Sequence, residues 1–315
     1  MNIIDFHCDA LLKMLENKTL TFDEAENEGV MDVTYERLRE AGTLLQTFAI
    51  FIPPEQDGDM VPILESIDIF YEKVLSCERM MLVRTAADLE ACLEQGKTGA
   101  LLSLEGVGGL QGNLSLLRLL HRLGVRAAGL TWNHANWAAD GVMEPRGGGL
   151  TLRGREFVKE CERLGIIVDV SHLSEQAFWD VEGLAQRPFI ASHSNAKAIC
   201  DHPRNLTDDQ LKATFSHGGR VGVTYVPYFV AAGKETVEIS DLLRHIDYMC
   251  GLGGEPYIML GSDFDGIASH ISGLTHPGQV ETLREALLQN YTEEQVKGFM
   301  HNNALAFLRS QLTGG

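Results

Sequence analysis

Three histidines and two acids carry the first chemical signal. His7 and Asp9 stand two residues apart at the end of an apolar run, in IIDFHCD. Residues i and i+2 of an extended strand face the same side, so both side chains can reach one cation while Cys8 points the other way. Glu105 closes a second apolar run, LLSLE, and glycines follow it; its two carboxylate oxygens suit it to bridge two cations. His172 and His193, 21 residues apart, close two further runs, and neutral imidazole is the commonest donor to zinc. The set divides in two: His7, Asp9 and one Glu105 oxygen for one ion, His172, His193 and the other Glu105 oxygen for a second. Nitrogen and carboxylate donors without thiolate suit two zinc ions, with manganese or cobalt as substitutes.

Two more residues belong with that set. Asp263, in LGSDFDG, ends another apolar run. A carboxylate beside the cations can take a proton from activated water and pass it to a leaving amine. Its neighbour Asp265 reads as a turn former or hydrogen-bond partner. Arg204, in CDHPRN, keeps two readings open: a clamp that holds a substrate carboxylate through two parallel hydrogen bonds, or an ordinary surface ion pair.

These residues are far apart in the chain, so a fold must gather them. Eight short runs rich in Val, Ile, Leu and Ala lie at 2–6, 44–52, 99–104, 125–131, 166–171, 188–192, 220–226 and 257–262. They alternate little between apolar and polar residues, as strands buried on both faces should. Amphipathic helices are expected at 60–76, 87–94, 114–123, 153–164, 175–184, 208–216, 239–250, 280–289 and 293–312, with start signals at Ser174 and Thr207. Strands alternating with helices predict parallel pairing, and eight such units close into a (β/α)8 TIM-like barrel. An open doubly wound sheet is the other arrangement, but no G-x-G-x-x-G follows the first strand. One domain over 1–315, ending in a C-terminal helix, is expected. In a barrel the C-terminal ends of all strands share one mouth, where such folds place their sites.

Bulk properties agree. The formal charge of −18 opposes binding to nucleic acid or an anionic membrane. No run approaches the roughly 18 apolar residues of a membrane span. Six cysteines at 8, 77, 92, 161, 200 and 250 form no C-x-x-C pair, as expected of free thiols in a reducing, cytoplasmic setting. Monomer and homodimer both remain open.

The motifs IDFHCD, LLSLEG, GLTLRGREFVKECERLGIIVDVSH to FIASHSNAKAICDHPRN, and LGSDFDG resemble, in order and spacing, those of the membrane dipeptidase (renal dipeptidase-like) family of binuclear zinc peptidases. The resemblance covers nearly the whole chain. It implies a (β/α)8 barrel and hydrolysis of dipeptides, including those with a C-terminal D-residue, by a hydroxide bridging two zinc ions. It assigns His7 and Asp9 to one zinc, His172 and His193 to the other, Glu105 to the bridge, Arg204 to the substrate and Asp263 to acid–base work. On the same frame, a hydrolase of N-acyl amino acids or cyclic amides is the alternative, and a non-catalytic metal-binding barrel a third reading. Animal members carry a histidine in an Leu-Thr-His context that is taken to polarise the substrate carbonyl. Here that place reads LTWNHAN, with Trp132 in its stead, so Asn133 or His134 is expected to substitute or the metals to act alone. The family's signal peptide and lipid-anchor tail are not matched either, which predicts a soluble protein.

Overall fold

The computed structural model describes residues 2–23 and 29–312. In chain order the elements are β1 (Ile3–Cys8), α1 (Ala10–Glu16), α2 (Tyr35–Glu40), β2 (Thr43–Phe51), α3 (Val61–Ile69), β3 (Met80–Leu82), α4 (Ala86–Glu94), β4 (Thr98–Glu105), α5 (Leu114–Arg122), β5 (Val125–Gly129) and α6 (Leu152–Leu164). There follow β6 (Ile167–Asp169), α7 (Glu175–Glu182), β7 (Ile190–Ala191), α8 (Asp208–Ser216), β8 (Arg220–Val223), α9 (Pro227–Val230), α10 (Ile239–Gly251), β9 (Ile258–Leu260), α11 (Val280–Leu288), α12 (Glu293–Lys297) and α13 (Asn303–Gln311).

Eight of these strands close a parallel barrel in the order β1-β2-β4-β5-β6-β7-β8-β9, β9 pairing back to β1. They are the eight expected runs. The β2–β4 seam aligns Leu45 with Gly99 through to Phe51 with Glu105. The ninth strand, β3, lies outside the ring against the first residues of β4; β5 takes the same side of β4 from Leu102 onward. Three residues carry too little periodicity to announce β3 in advance. The short helices α1, α2 and α9 are likewise too brief for periodicity to mark them.

Apolar residues from strands all round the ring, among them Ile4, Leu45, Leu101, Ala127, Ile167, Ile190 and Met259, form one buried cluster with Phe307, Leu308 and Leu312. Side chains from opposite strands meet only in the lumen, so this cluster fills the barrel and α13 packs onto it. A larger cluster lies between the strands and the outer helices, as in any two-layered α/β fold. Cys8 is buried in that outer layer.

Start signals read from sequence hold locally. The Ser174 side chain accepts a hydrogen bond from Ala177 N and starts α7. Thr207 and Gln210 cap α8 reciprocally. The expected 60–76 helix is α3 followed by a wider turn over Phe70–Val74, and the expected 293–312 helix is α12, a similar turn at Gly298–Asn302, and α13.

Candidate metal centre and substrate chamber

The barrel gathers the five ligand candidates around Glu105. Its Oε2 lies 3.3 Å from His7 Nε2, and its Oε1 lies 2.8 Å from His172 Nε2 and 3.8 Å from His193 Nε2. The two oxygens thus divide between the two histidine groups. His7 Nε2 is also 3.4 Å from Asp9 Oδ2 and 3.6 Å from Asp263 Oδ1. All but Glu105 and Asp263 are buried, and those two are largely covered.

Hydrogen bonds set how each ring presents itself. His172 Nδ1 lies 2.9 Å from Asn133 Oδ1, an atom that can only accept, so Nδ1 carries the proton and Nε2 a lone pair. His193 Nδ1 lies 2.7 Å from Ser192 Oγ. Beneath the rings, two aspartates staple neighbouring strand ends. Asp5 Oδ1 accepts from the backbone N–H of His7 (3.2 Å) and of Ser262 (2.9 Å). Asp169 Oδ1 accepts from Ser171 N and Ser192 N, each at 3.0 Å. Such outer contacts fix the orientation of the groups that face the centre.

Backbone strain concentrates at the same mouth. His172 and Asp263 each have φ of 70°, and Asp265 has 67°, values that non-glycine residues rarely adopt and that persist only where surroundings enforce them. Gly266 is required where it stands, since a Cβ there would come within 2.3 Å of Asp9 Oδ2. Asp265 turns away from the centre: its two oxygens accept from Asp32 N (2.7 Å) and Val33 N (2.9 Å), the structural role expected of it.

A cation fits this arrangement. The buried atoms His7 Nε2 and Asp9 Oδ1 have no hydrogen-bond partner, and buried polar atoms are otherwise almost always satisfied. The Nε2 atoms of His172 and His193 face each other at 2.8 Å. Burial and then the nearby Arg204 charge bring His172 down to about 4, and burial, His7 and Arg204 hold His193 well below the usual imidazole value. Both are therefore neutral, as ligands must be. Burial opposes ionisation of Glu105, but His7 and His172 outweigh it and keep the carboxylate ionised. Burial, resisted by His7 and reinforced by Asp9 and Glu105, pushes Asp263 up to about 8.

Above these groups opens a chamber of about 220 Å³ lined by Asp9, Glu105, His172, Asp263 and Arg204, with Trp132 and Asn133 on its wall. Arg204 is 3% exposed; its guanidinium donates from Nη2 to His193 O, 3.2 Å away, and among the described residues no carboxylate forms an ion pair with it. The surface ion-pair reading of Arg204 is thereby excluded. His134 is exposed and does not line the chamber. The loop beyond Thr131 is irregular, so two residues' spacing there does not return a side chain to the same side. Leu12, Phe51, Met143, His202, Tyr228 and Phe229 complete the lining and were not singled out from sequence. Only His202, two residues before Arg204, carried a usable signal. A second cavity, of about 350 Å³, shares only His172 and Arg204 with this one.

The sequence model of the membrane dipeptidase family, peptidase family M19, matches residues 1–313. The chain belongs to this family. Among its relatives, the uncharacterised protein of the pqqA 5′ region of Klebsiella pneumoniae is 38% identical over 243 residues, covering 72% of this chain and 89% of that protein. The dipeptidase tcpJ of Claviceps purpurea is 33% identical over 238 residues, covering 75% of this chain and 56% of that longer protein. The structure of dipeptidase AC, a family M19 metallopeptidase, superposes with a TM-score of 0.90 at 28% identity, covering 100% of this chain and 99% of that one. A Rhodobacter sphaeroides metallopeptidase, solved with a phosphinate mimic of the dipeptide L-Ala-D-Ala, gives a TM-score of 0.89 at 27% identity, covering 99% of both chains. This membrane dipeptidase family member is thus a metal-dependent hydrolase with the expected barrel. Despite the family's name, no helix among the described residues is long and apolar enough to cross a membrane.

Proposed function

We propose that the protein hydrolyses dipeptides at a centre holding two zinc ions, one on His7 and Asp9, the other on His172 and His193, with Glu105 between them. The observation that carries this reading is the division of the Glu105 oxygens, Oε2 toward His7 and Oε1 toward His172 and His193. When bound, the cations would supply activated water and Lewis-acid polarisation of the scissile carbonyl.

The chain's own groups do the rest. Asp263, at the chamber edge and close to His7 and Asp9, accepts the proton of the attacking water and delivers it to the leaving nitrogen. Its raised affinity for a proton favours that delivery; positive charge beside it would bring the value back toward neutrality. Arg204, a buried guanidinium outside any ion pair among the described residues, receives the substrate's terminal carboxylate. The chamber, at about 220 Å³, limits the substrate to a small molecule. Trp132, its ring 5.1 Å from that of Phe51 and 6.3 Å from that of His172, forms an apolar wall for a substrate side chain. Asn133 acts on His172 rather than on the substrate carbonyl. A C-terminal D-residue is accommodated. The six free cysteines support a reducing, cytoplasmic address.

The test combines metal analysis with a substrate panel. Two equivalents of zinc per chain, and cleavage of L,L- or L,D-dipeptides in preference to N-acyl amino acids and cyclic amides, are the expected results. One equivalent of metal, or cleavage of N-acyl amino acids alone, would refute the reading.

A further inference from the structure

We propose that His202 is a specificity-determining residue: a fixed hydrogen-bond donor that, together with Arg204, recognises the free carboxylate of the substrate. The inference rests on the reading of Arg204 as the carboxylate site and adds a second residue to it.

The argument begins with a backbone N–H. Arg204 N donates to His202 Nδ1 over 3.2 Å. A backbone amide can only donate, so Nδ1 must be the unprotonated nitrogen and the neutral ring must carry its hydrogen on Nε2. His202 lines the chamber, and Nε2 makes no hydrogen bond among the described residues. The same two-residue step that fixes the tautomer also ties the imidazole to the backbone of the arginine beside it.

The ring is held in place as well as in charge state. It packs on Phe229 with ring centroids 4.4 Å apart and meets Tyr228 at 5.8 Å. The Arg204 guanidinium sits over the same Phe229 ring, 5.4 Å from its centroid. One phenyl ring therefore supports both donors, and the pair needs little ordering when a ligand arrives. Partly buried, and next to a guanidinium and Lys197, the imidazole is held neutral, below its ordinary value. A neutral N–H beside one cation matches a singly charged carboxylate without adding a second buried charge.

The preference this builds is for a free carboxylate over a carboxamide. An amide NH₂ would set donor against donor at Nε2, and unmatched polar groups in a covered site cost more than a lost contact.

Calorimetry on the zinc-loaded protein tests this, with a phosphinate mimic of alanyl-alanine and its C-terminal carboxamide as probes. Three proteins are compared: wild type, His202→Phe, which keeps the ring packing and removes the donor, and His202→Gln, which restores an N–H. Wild type should prefer the carboxylate. His202→Phe should weaken carboxylate binding about tenfold or more, as expected for a hydrogen bond to a charged group, and should leave carboxamide binding no weaker than in wild type. His202→Gln should recover most of the loss, with metal content equal in all three. Unchanged carboxylate binding in His202→Phe, or equal loss on both probes, would overturn the proposal. Turnover of alanyl-alanine is measured in parallel: failure of the wild type to cleave any dipeptide would strike the proposed reaction, while the ratio of probe affinities still decides the role of His202.

Discussion

His172 Nε2 and His193 Nε2 stand 2.8 Å apart, and each ring is anchored through its far nitrogen, to Asn133 and Ser192 respectively. Both rings are held neutral, and Glu105 Oε1 lies 2.8 Å from His172 Nε2 and 3.8 Å from His193 Nε2, so three potential ligand atoms crowd one point. A cation relieves that crowding. Chelation should therefore destabilise the protein, and zinc should restore it. Ligand present at 100 times its Kd adds about 2.7 kcal/mol, which for a chain of this size is a melting shift of about 4 °C. A thermal scan before and after chelator, showing no shift, would argue against a built metal centre.

Asn133 Oδ1 accepts from His172 Nδ1 over 2.9 Å, a bond that would fix how the ring presents Nε2 to a metal. Asn133→Ala should lower zinc affinity about 10- to 100-fold, the usual cost of losing an outer hydrogen bond to a ligating histidine. At saturating zinc, kcat should return to near the wild-type value. Competition with a fluorescent chelator reads the affinity; an unchanged value would remove Asn133 from this role.

Asp263→Asn should lower kcat by about 10²–10⁴ while retaining both metals. It also has a consequence for stability. The folded carboxyl titrates at about 8 against an ordinary 3.8, so the metal-free folded state binds this proton more tightly than the unfolded chain does. Its contribution is fully present below pH 3.8 and is lost as the pH rises through about 8. Asparagine has no charge to bury. Metal-free Asp263→Asn should accordingly melt above metal-free wild type at pH 8.5, by a margin that shrinks toward pH 5. A margin that grew toward acid would contradict the assignment.

A buried guanidinium outside any ion pair among the described residues is costly to the free protein. Arg204→Met, similar in length and apolar, should raise stability by about 1 kcal/mol or more, seen as a higher denaturant midpoint. The same substitution should raise KM about 100-fold, through loss of charge-assisted hydrogen bonds. Gain of stability without loss of substrate capture would return Arg204 to a purely structural role.

The sequence by itself determined the barrel and the candidate metal ligands. Strands buried on both faces must be continuously apolar, so each of the eight runs stood out, and a His, Asp or Glu at the end of such a run is conspicuous. His7, Asp9, Glu105, His172, His193 and Asp263 were legible for that reason, and the closure of β2 onto β4 brings them to one mouth. The tertiary structure alone decided what surrounds them. His202 lies in an irregular segment after β7, and Tyr228 and Phe229 in α9, a single turn after β8 too short for a period to relate spacing to direction, so their convergence with Arg204 depends on how neighbouring segments pack. His134 fell outside the chamber on the same account. The state of Arg204, buried and outside any ion pair among the described residues, was likewise beyond reach of the sequence, because burial and pairing depend on every chain segment packed around it.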